Sequence, residues 1–370
     1  MPDPFYRRMR AVKAAPLVHQ QRALIAAQIA LINQQAEQLI EIGALVRAQG
    51  AELARQSADI ARIAHQCGAD RDVEKLALLS PHLRRNVLPN DDSIMQKQLL
   101  AVWQAAPAAM LTHKDLLAGG FRVFSQNDED GVVLRIFSQI GMTNQYVIEI
   151  GSNCSDSDLG IPENLSANLI VNHGWHGAVF EIDPVECERM RYFFARDFAT
   201  KHFHVAIDGQ HTYLSPLIVQ GAITADNIDA RLQAASAEPQ PDLMVIDIDG
   251  GDYAVIDAMQ TVRPRVLIVE FEKRFREYHS VVQFDHDQFS KRWPQSGAAS
   301  LPAWQRLLSL RGYTLVAIAA TGYNAFFVRN DVAEGKFAPL GVREAFDRHP
   351  IFSQVADAVW LTPDASWQTV

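Results

Sequence analysis

Five short acidic runs interrupt the middle of the chain: Glu149-Ile150-Gly151-Ser152-Asn153, Glu181-Ile182-Asp183, Asp208-Gly209, Asp247-Ile248-Asp249-Gly250-Gly251-Asp252 and Glu270-Phe271-Glu272. Each grows out of an apolar stretch (YVIEI, AVFEI, FHVAI, LMVIDI, VLIVEF). Carboxylates accept hydrogen bonds from hydroxyl and amino groups and attract cations. A ligand held among them should therefore carry hydroxyls and positive charge. S-Adenosyl-L-methionine has both. Gly151 would let the backbone pass close to it at a sharp strand exit, with Asn153 a further contact from the same loop. Glu181 would accept from both ribose hydroxyls and Asp208 from the adenine amino group. A rim of Asp130, Glu149 and Asp247 would favour the ammonium and the sulfonium.

Asp249 and Asp252 are the candidate catalytic residues, each able to take a proton from an acceptor hydroxyl. Glu270 could complete an oxygen-rich Mg2+ site with them, since hard cations choose carboxylates and water. No spacing requires a metal, so none is assigned from sequence. His279 and His286 are alternative bases. A purely structural role competes, because acids at strand ends also cap helices, and Asp249 or Asp252 could cap one beginning near Tyr253.

A dinucleotide-binding fold would place G-x-G-x-x-G after its first strand to cradle pyrophosphate on bare amides. Here Gly151 is followed by SNCSDSDL, with Asp156 and Asp158 and no glycine before Gly160. Those acids would repel a pyrophosphate, which argues against an NAD-dependent oxidoreductase.

The elements that must position these residues alternate as in parallel βαβ units. Strands are expected at 146–150, 178–182, 203–207, 243–248, 266–271, 313–318 and 325–329. Helical patterns lie between them at 164–173, 184–200, 225–234, 253–262 and 301–311. The fold class is α/β, a Rossmann-like sheet of seven strands. The short AATGY link makes the last two antiparallel, since a parallel return needs a crossover of about a dozen residues or more.

The segments SQNDEDGVVLRIFSQIG, YVIEIGSN, ENLSANLIVNHGWHGAVFEID, DLMVIDIDGGDYAVIDAM, RPRVLIVEFE and GYTLVAIAATGYNAFFVRND, in this order, resemble FkbM-type class I S-adenosylmethionine-dependent methyltransferases over residues 121–330. The resemblance implies O-methylation of a hydroxyl on a glycan, natural product or related metabolite, with bacterial relatives tied to surface polysaccharides. Residue by residue, it places Glu149 and Gly151 in the first-strand motif, makes Glu181 the ribose acid, sets Asp247 and Asp249 in the fourth-strand motif, and gives Asp130 an acidic position ahead of the first strand. Two departures point to a weaker hold on the cofactor or a head without activity. Thirty residues separate Gly151 from Glu181, against about 20 in dinucleotide folds, and Gly251 stands where related sequences often carry Asn.

The whole chain of 370 residues is 48% hydrophobic, enough to bury a large core. With 34 basic against 43 acidic residues its formal charge is -9, which argues against a general nucleic-acid binder. Cys67, Cys154 and Cys187 form no CxxC pair, which fits a reducing, cytoplasmic setting. Neither a secretory signal nor a transmembrane segment is expected.

Ahead of the expected domain, Ile25, Ile32, Leu39, Val46, Leu53, Ile60 and Cys67 recur every seven residues. That is a coiled-coil seam and predicts a homo-oligomer through residues 21–68. It is thinned by Gly43 and Gly50, which each cost about 1 kcal/mol in a helix interior. A basic tail (1–20) precedes it, and its Phe5 to Lys13 tract could touch an anionic membrane surface. A helical connector (69–120) follows, with a helix over 94–105. A carboxy-terminal tail (331–370) is expected to pack on the domain, and the insertion 273–300 to cover the pocket. If the head were inactive, the same coiled coil would make the protein a scaffold.

Overall fold

The computed structural model describes residues 91–107, 109–154, 162–195, 205–207, 210–212, 215–283, 297–354 and 362–370. The basic tail, the coiled-coil seam and the start of the connector lie outside them.

Seven strands form one sheet, in the order β5 (Leu217–Gln220), β2 (His176–Glu181), β1 (Tyr146–Ile150), β6 (Leu243–Ile246), β7 (Val266–Glu270), β10 (Asn324–Arg329) and β9 (Tyr313–Ile318). β5 through β7 run parallel, and β10 is antiparallel to both β7 and β9. This is the class I methyltransferase arrangement of a Rossmann-like α/β sheet. β1, β7 and β10 are buried at every position. That explains why they read as largely apolar runs: a sheet with both faces covered has no polar side to alternate with.

Alternation along each strand divides the core in two. Val147, Val179, Val245 and Ile268 pack on one face with helices α1 (Asp91–Ala105), α3 (Glu129–Ile140) and α4 (Ser166–His173). Ile148, Phe180, Met244 and Leu267 pack on the other with helices that include α7 (Asp252–Ala258) and α8 (Leu301–Leu310). The α1 helix belongs to this packing. Leu100 sits in the first cluster, and Gln96 exchanges hydrogen bonds with Asn168 and His173 of α4. Trp175 is fully buried and edge-on to Phe137 at 5.0 Å, a packing residue between helix and strand.

One expected strand is displaced. Val205–Ile207 (β3) pairs antiparallel with Gln210–Thr212 (β4) in a separate hairpin, and the third parallel strand of the sheet is Leu217–Gln220. The dipeptide between β3 and β4 is Asp208-Gly209, which favours the tight turn of a hairpin. The chain therefore doubles back after Ile207 instead of entering a βα connection. Asp208 itself lies outside the described residues.

At the amino-terminal ends of the strands sits a buried ionic knot. Arg265 Nη1 donates to Asp242 Oδ1 at 2.6 Å, and the other Asp242 oxygen accepts the amides of Thr143, Asn144 and Gln145. Arg265 also donates to the carbonyls of Ile140 and Gly141. The knot ties the α3–β1 turn to the starts of β6 and β7.

Beyond β10, Phe346 and Phe352 enter the second core cluster, and Gln368–Thr369 (β11) pairs with Val281–Val282 (β8) of the insertion. The insertion's described cations are engaged: Lys273 with the Thr321 carbonyl and the Tyr323 ring, Arg274 with Glu272, Arg276 with Glu277 and Asp347. His279 lies against Phe275, and His286 is outside the described residues. Among the described residues no helix is long and apolar enough to cross a membrane.

Candidate functional site

Strand order reverses between β2, β1 and β6, and open α/β sheets bind ligands beyond the carboxyl ends of the strands at such a switch. A cleft of about 310 Å3 lies there. Gly151 and Asn153 after β1, Glu181 and Asp183 after β2, and Asp247 and Asp249 after β6 all line it. The segment Gly221-Ala222-Ile223, which follows β5, forms part of the wall. It escapes a sequence reading because its strand does too.

Glu181 is 8% exposed, and its Oε1 accepts the Asp183 amide at 2.7 Å, which fixes the carboxylate at the wall. Burial raises its pKa, with Asp183 and Glu186 adding to the rise. Asn153 also lines the cleft, and its Oδ1 is buried with no donor among the described residues. Gly151 holds φ +84°, and a Cβ there would lie 1.6 Å from the Asp247 carbonyl oxygen. What its missing side chain admits is therefore the backbone of the neighbouring strand end, whose closeness gives the cleft its floor. Only secondarily is it room for a ligand.

Three of the expected site residues are committed to the protein's own backbone. Asp130 Oδ2 accepts the amides of Val123, Phe124 and Ser125 and the Ser125 hydroxyl, all within 3.0 Å. Burial pushes its pKa up to about 6 against those donors. Glu149 accepts from the Leu165 and Ser166 amides and so caps α4. Neither residue lines the cleft, so the rim expected from Asp130, Glu149 and Asp247 reduces to Asp247, joined by Asp249 and Asp183.

Asp252 is 1% exposed and accepts the Ile248 amide on Oδ1 and the Gly250 amide on Oδ2. A carboxylate this buried, with an amide on each oxygen, is held out of reach of an acceptor hydroxyl. It sits in the first turn of α7 and closes the loop in front of it.

That loop is a run of left-handed residues: Asp249 at φ +59°, Gly250 at +146° and Gly251 at +87°. Asn is, after Gly, among the residues that best tolerate this region. Gly251 in place of Asn is therefore conformationally conservative. The loop brings Asp247 and Asp249 beside Glu270 at the end of β7, with one oxygen from each of the three within 4.8 Å of the others. Loss of hydration, then Asp252 and Asp249, raise Asp247 well above the usual carboxylate range, and burial followed by Asp247 and Asp252 does the same to Glu270. The acid trio is thus Asp247, Asp249 and Glu270, with Asp252 as its support.

Cys154 and Cys187 are fully buried. Burial, then the Glu186 carboxylate, pushes the Cys154 thiol up to about 12, and burial takes Cys187 to about 11. Both should resist iodoacetamide in the native protein and react only once it is denatured. Peptide mass spectrometry reads this directly.

No protein-family model and no curated protein matches the chain. Solved structures similar to it include the N-terminal domain of EvdMO1 with SAH bound, and the same domain in the presence of SAH and D-fucose, each at 11% identity and TM-score 0.33. Another is the apo structure of CalS11, a TDP-rhamnose 3'-O-methyltransferase, at 12% identity and TM-score 0.31. Each comparison covers 65% of this chain and 96% of the other. At that level of likeness none of them bears on an individual residue, and the fold class rests on strand order.

Proposed function

We propose that the protein is an S-adenosylmethionine-dependent methyltransferase that methylates a hydroxyl of a glycan or related metabolite. The observation that carries this reading is the make-up of the cleft. Five carboxylates line it (Glu181, Asp183, Glu186, Asp247 and Asp249), with no Lys, Arg or His among the described lining residues. Such a wall suits a sulfonium, an ammonium and ribose hydroxyls and opposes a pyrophosphate.

Bound there, the cofactor would supply an activated methyl group. Glu181 would hold the ribose hydroxyls, and Asn153 Oδ1 would accept a donor from the ligand. Asp249, exposed and lining the cleft, would be the carboxylate that meets the acceptor. Holding the acceptor in line supplies much of the acceleration in such transfers. The hydroxyl acceptor itself rests on the motif resemblance.

Titration calorimetry with the cofactor tests the reading. Wild type should bind saturably. Glu181→Ala should weaken binding on the order of 100-fold, the equivalent of about 3 kcal/mol for two hydrogen bonds to a charged group. Absence of saturable binding at millimolar cofactor would instead favour the scaffold reading, in which the coiled coil is the working part. For the oligomer proposed through residues 21–68, light scattering should give a larger assembly for the full chain than for residues 91–370. Equal states would remove that proposal.

A further inference from the structure

Two buried imidazoles meet at the end of β9. His113, at the head of α2 (His113–Leu117), places its Nε2 3.2 Å from the Ile318 carbonyl oxygen. His349, just beyond α10 (Val342–Asp347), places its own 3.0 Å from the next carbonyl oxygen, that of Ala319. A carbonyl only accepts, so each ring carries a proton on Nε2. The other nitrogen of His349, Nδ1, accepts the Ile351 and Phe352 amides at 3.2 and 3.3 Å. A nitrogen that accepts two amides holds no proton, so geometry alone makes His349 neutral. The Phe352 ring is stacked on it at 4.2 Å, and the His113 ring lies on it at 6.4 Å.

We infer that residues 342–354 form a clasp that acidification releases, with His349 as its pin. A second proton on His349 has one place to go, Nδ1, where it would point at two N–H donors and undo both bonds. The ring is fully buried and its partners are one carbonyl and two amides, so the resulting charge would meet no counter-charge among them. The surroundings work in the same direction. Lys273, held on the Thr321 carbonyl and over the Tyr323 ring of the same turn, opposes a charge on His349. Two imidazolium ions would repel each other across the stack, while Glu344 of α10, paired with Arg348, favours a charge on His113. Asp128 reaches the turn from just before α3 and accepts the Ala320 amide, and Asp347 is paired with Arg276. Burial holds both imidazoles below their usual range. A histidine kept neutral when packed takes up its proton when it opens. Closure is therefore at full strength above about pH 6.5 and weakens as the pH falls below it.

What the clasp holds is the exit of β7. Phe346 stands edge-on to Phe271 at 6.3 Å, and Asp347 binds Arg276 at 3.1 Å. Phe352 occupies the space over Gly322, where a Cβ would lie 1.8 Å from its ring. The two sides of this exit are joined by the Phe271 amide, which donates to the Tyr323 carbonyl at 2.8 Å. These residues follow directly on Glu270, so release would loosen the chain beside Asp247 and Asp249. The clasp itself does not depend on the methyltransferase reading.

The test uses the full chain without cofactor. Hydrogen–deuterium exchange, read by mass spectrometry, is compared at pH 7.5 and 5.5 with exposure times scaled for the pH dependence of intrinsic exchange. In wild type the peptide covering 345–354 should lose at least about tenfold in protection at pH 5.5, the effect of one proton taken up on opening at a pKa of about 6.5. Peptides of β1 and β7 should keep theirs. His349→Asn offers the Ile351 and Phe352 amides an oxygen, as asparagine does in turns, but does not titrate. Its segment should be less protected than wild type at pH 7.5 and should change by less than about twofold between the two conditions. His113→Gln keeps a donor for the Ile318 carbonyl and should keep the wild-type response. Equal wild-type protection at the two pH values overturns the clasp, as does loss of protection in β1 and β7 in step with 345–354. A full pH response in folded His349→Asn, or its disappearance in His113→Gln, overturns His349 as the pin. The wild-type comparison decides the matter if His349→Asn does not fold.

Discussion

Asp242→Ala should lower the unfolding free energy by about 3–5 kcal/mol, the range for removing one partner of a buried ion pair. The change leaves the Arg265 guanidinium, 8% exposed, without its counter-charge, and the Thr143, Asn144 and Gln145 amides without their acceptor. Urea denaturation would show it as a fall in midpoint at nearly constant slope. The knot lies at the amino-terminal ends of the strands and the cleft at their carboxyl ends, so cofactor affinity of the folded fraction should stay within about twofold of wild type, as expected for well-separated sites. A large loss of affinity would mean that the two ends are coupled.

Gly151→Ala should destabilise through a different physical route and also damage the cleft. The left-handed φ of +84° costs a non-glycine residue about 1 kcal/mol or more. The larger effect is the 1.6 Å approach of the new Cβ to the Asp247 carbonyl oxygen, which is backbone and cannot rotate away. β1 and β6 must separate at the point where the Asp247 amide donates to the Ile150 carbonyl at 2.9 Å. Together these effects should reach on the order of 3 kcal/mol or more. Because Asp247 moves with its carbonyl, cofactor binding should fall in the folded remainder. Thermal melts with parallel titrations separate the two losses, and a variant as stable as wild type would show that the strands part without strain.

Much of the sheet is legible in the residues because burial on both faces writes largely apolar runs. YVIEI, LMVI and VLIVE could be little else, and the AATGY link is too short for anything but an antiparallel return. β5 is not legible. It is a four-residue edge strand with Leu217 and Gln220 exposed, so it lacks the run that marks its neighbours. FHVAI had the run, and the Asp-Gly dipeptide after it was the contrary signal.

The site divides along the same line. Residue type places acids at the strand ends, but whether an acid is free depends on which amides reach it. Those come from elsewhere in the chain: Val123, Phe124 and Ser125 for Asp130, and Leu165 and Ser166 for Glu149. Asp252 alone carried a local cue, since an acid at the head of a helix pattern is more at home satisfying amides than holding a proton for chemistry. The Arg265–Asp242 knot had no cue, because neither residue lies in a run that marks an element.

The tether from Asp252 to the Ile248 and Gly250 amides has a kinetic corollary. A turn already fastened in the free protein has no wandering to surrender when something docks, because the loss of chain freedom was met during folding. Arrival at this wall should then be governed by diffusion and charge, accelerating as ionic strength drops, with no slow adjustment afterwards.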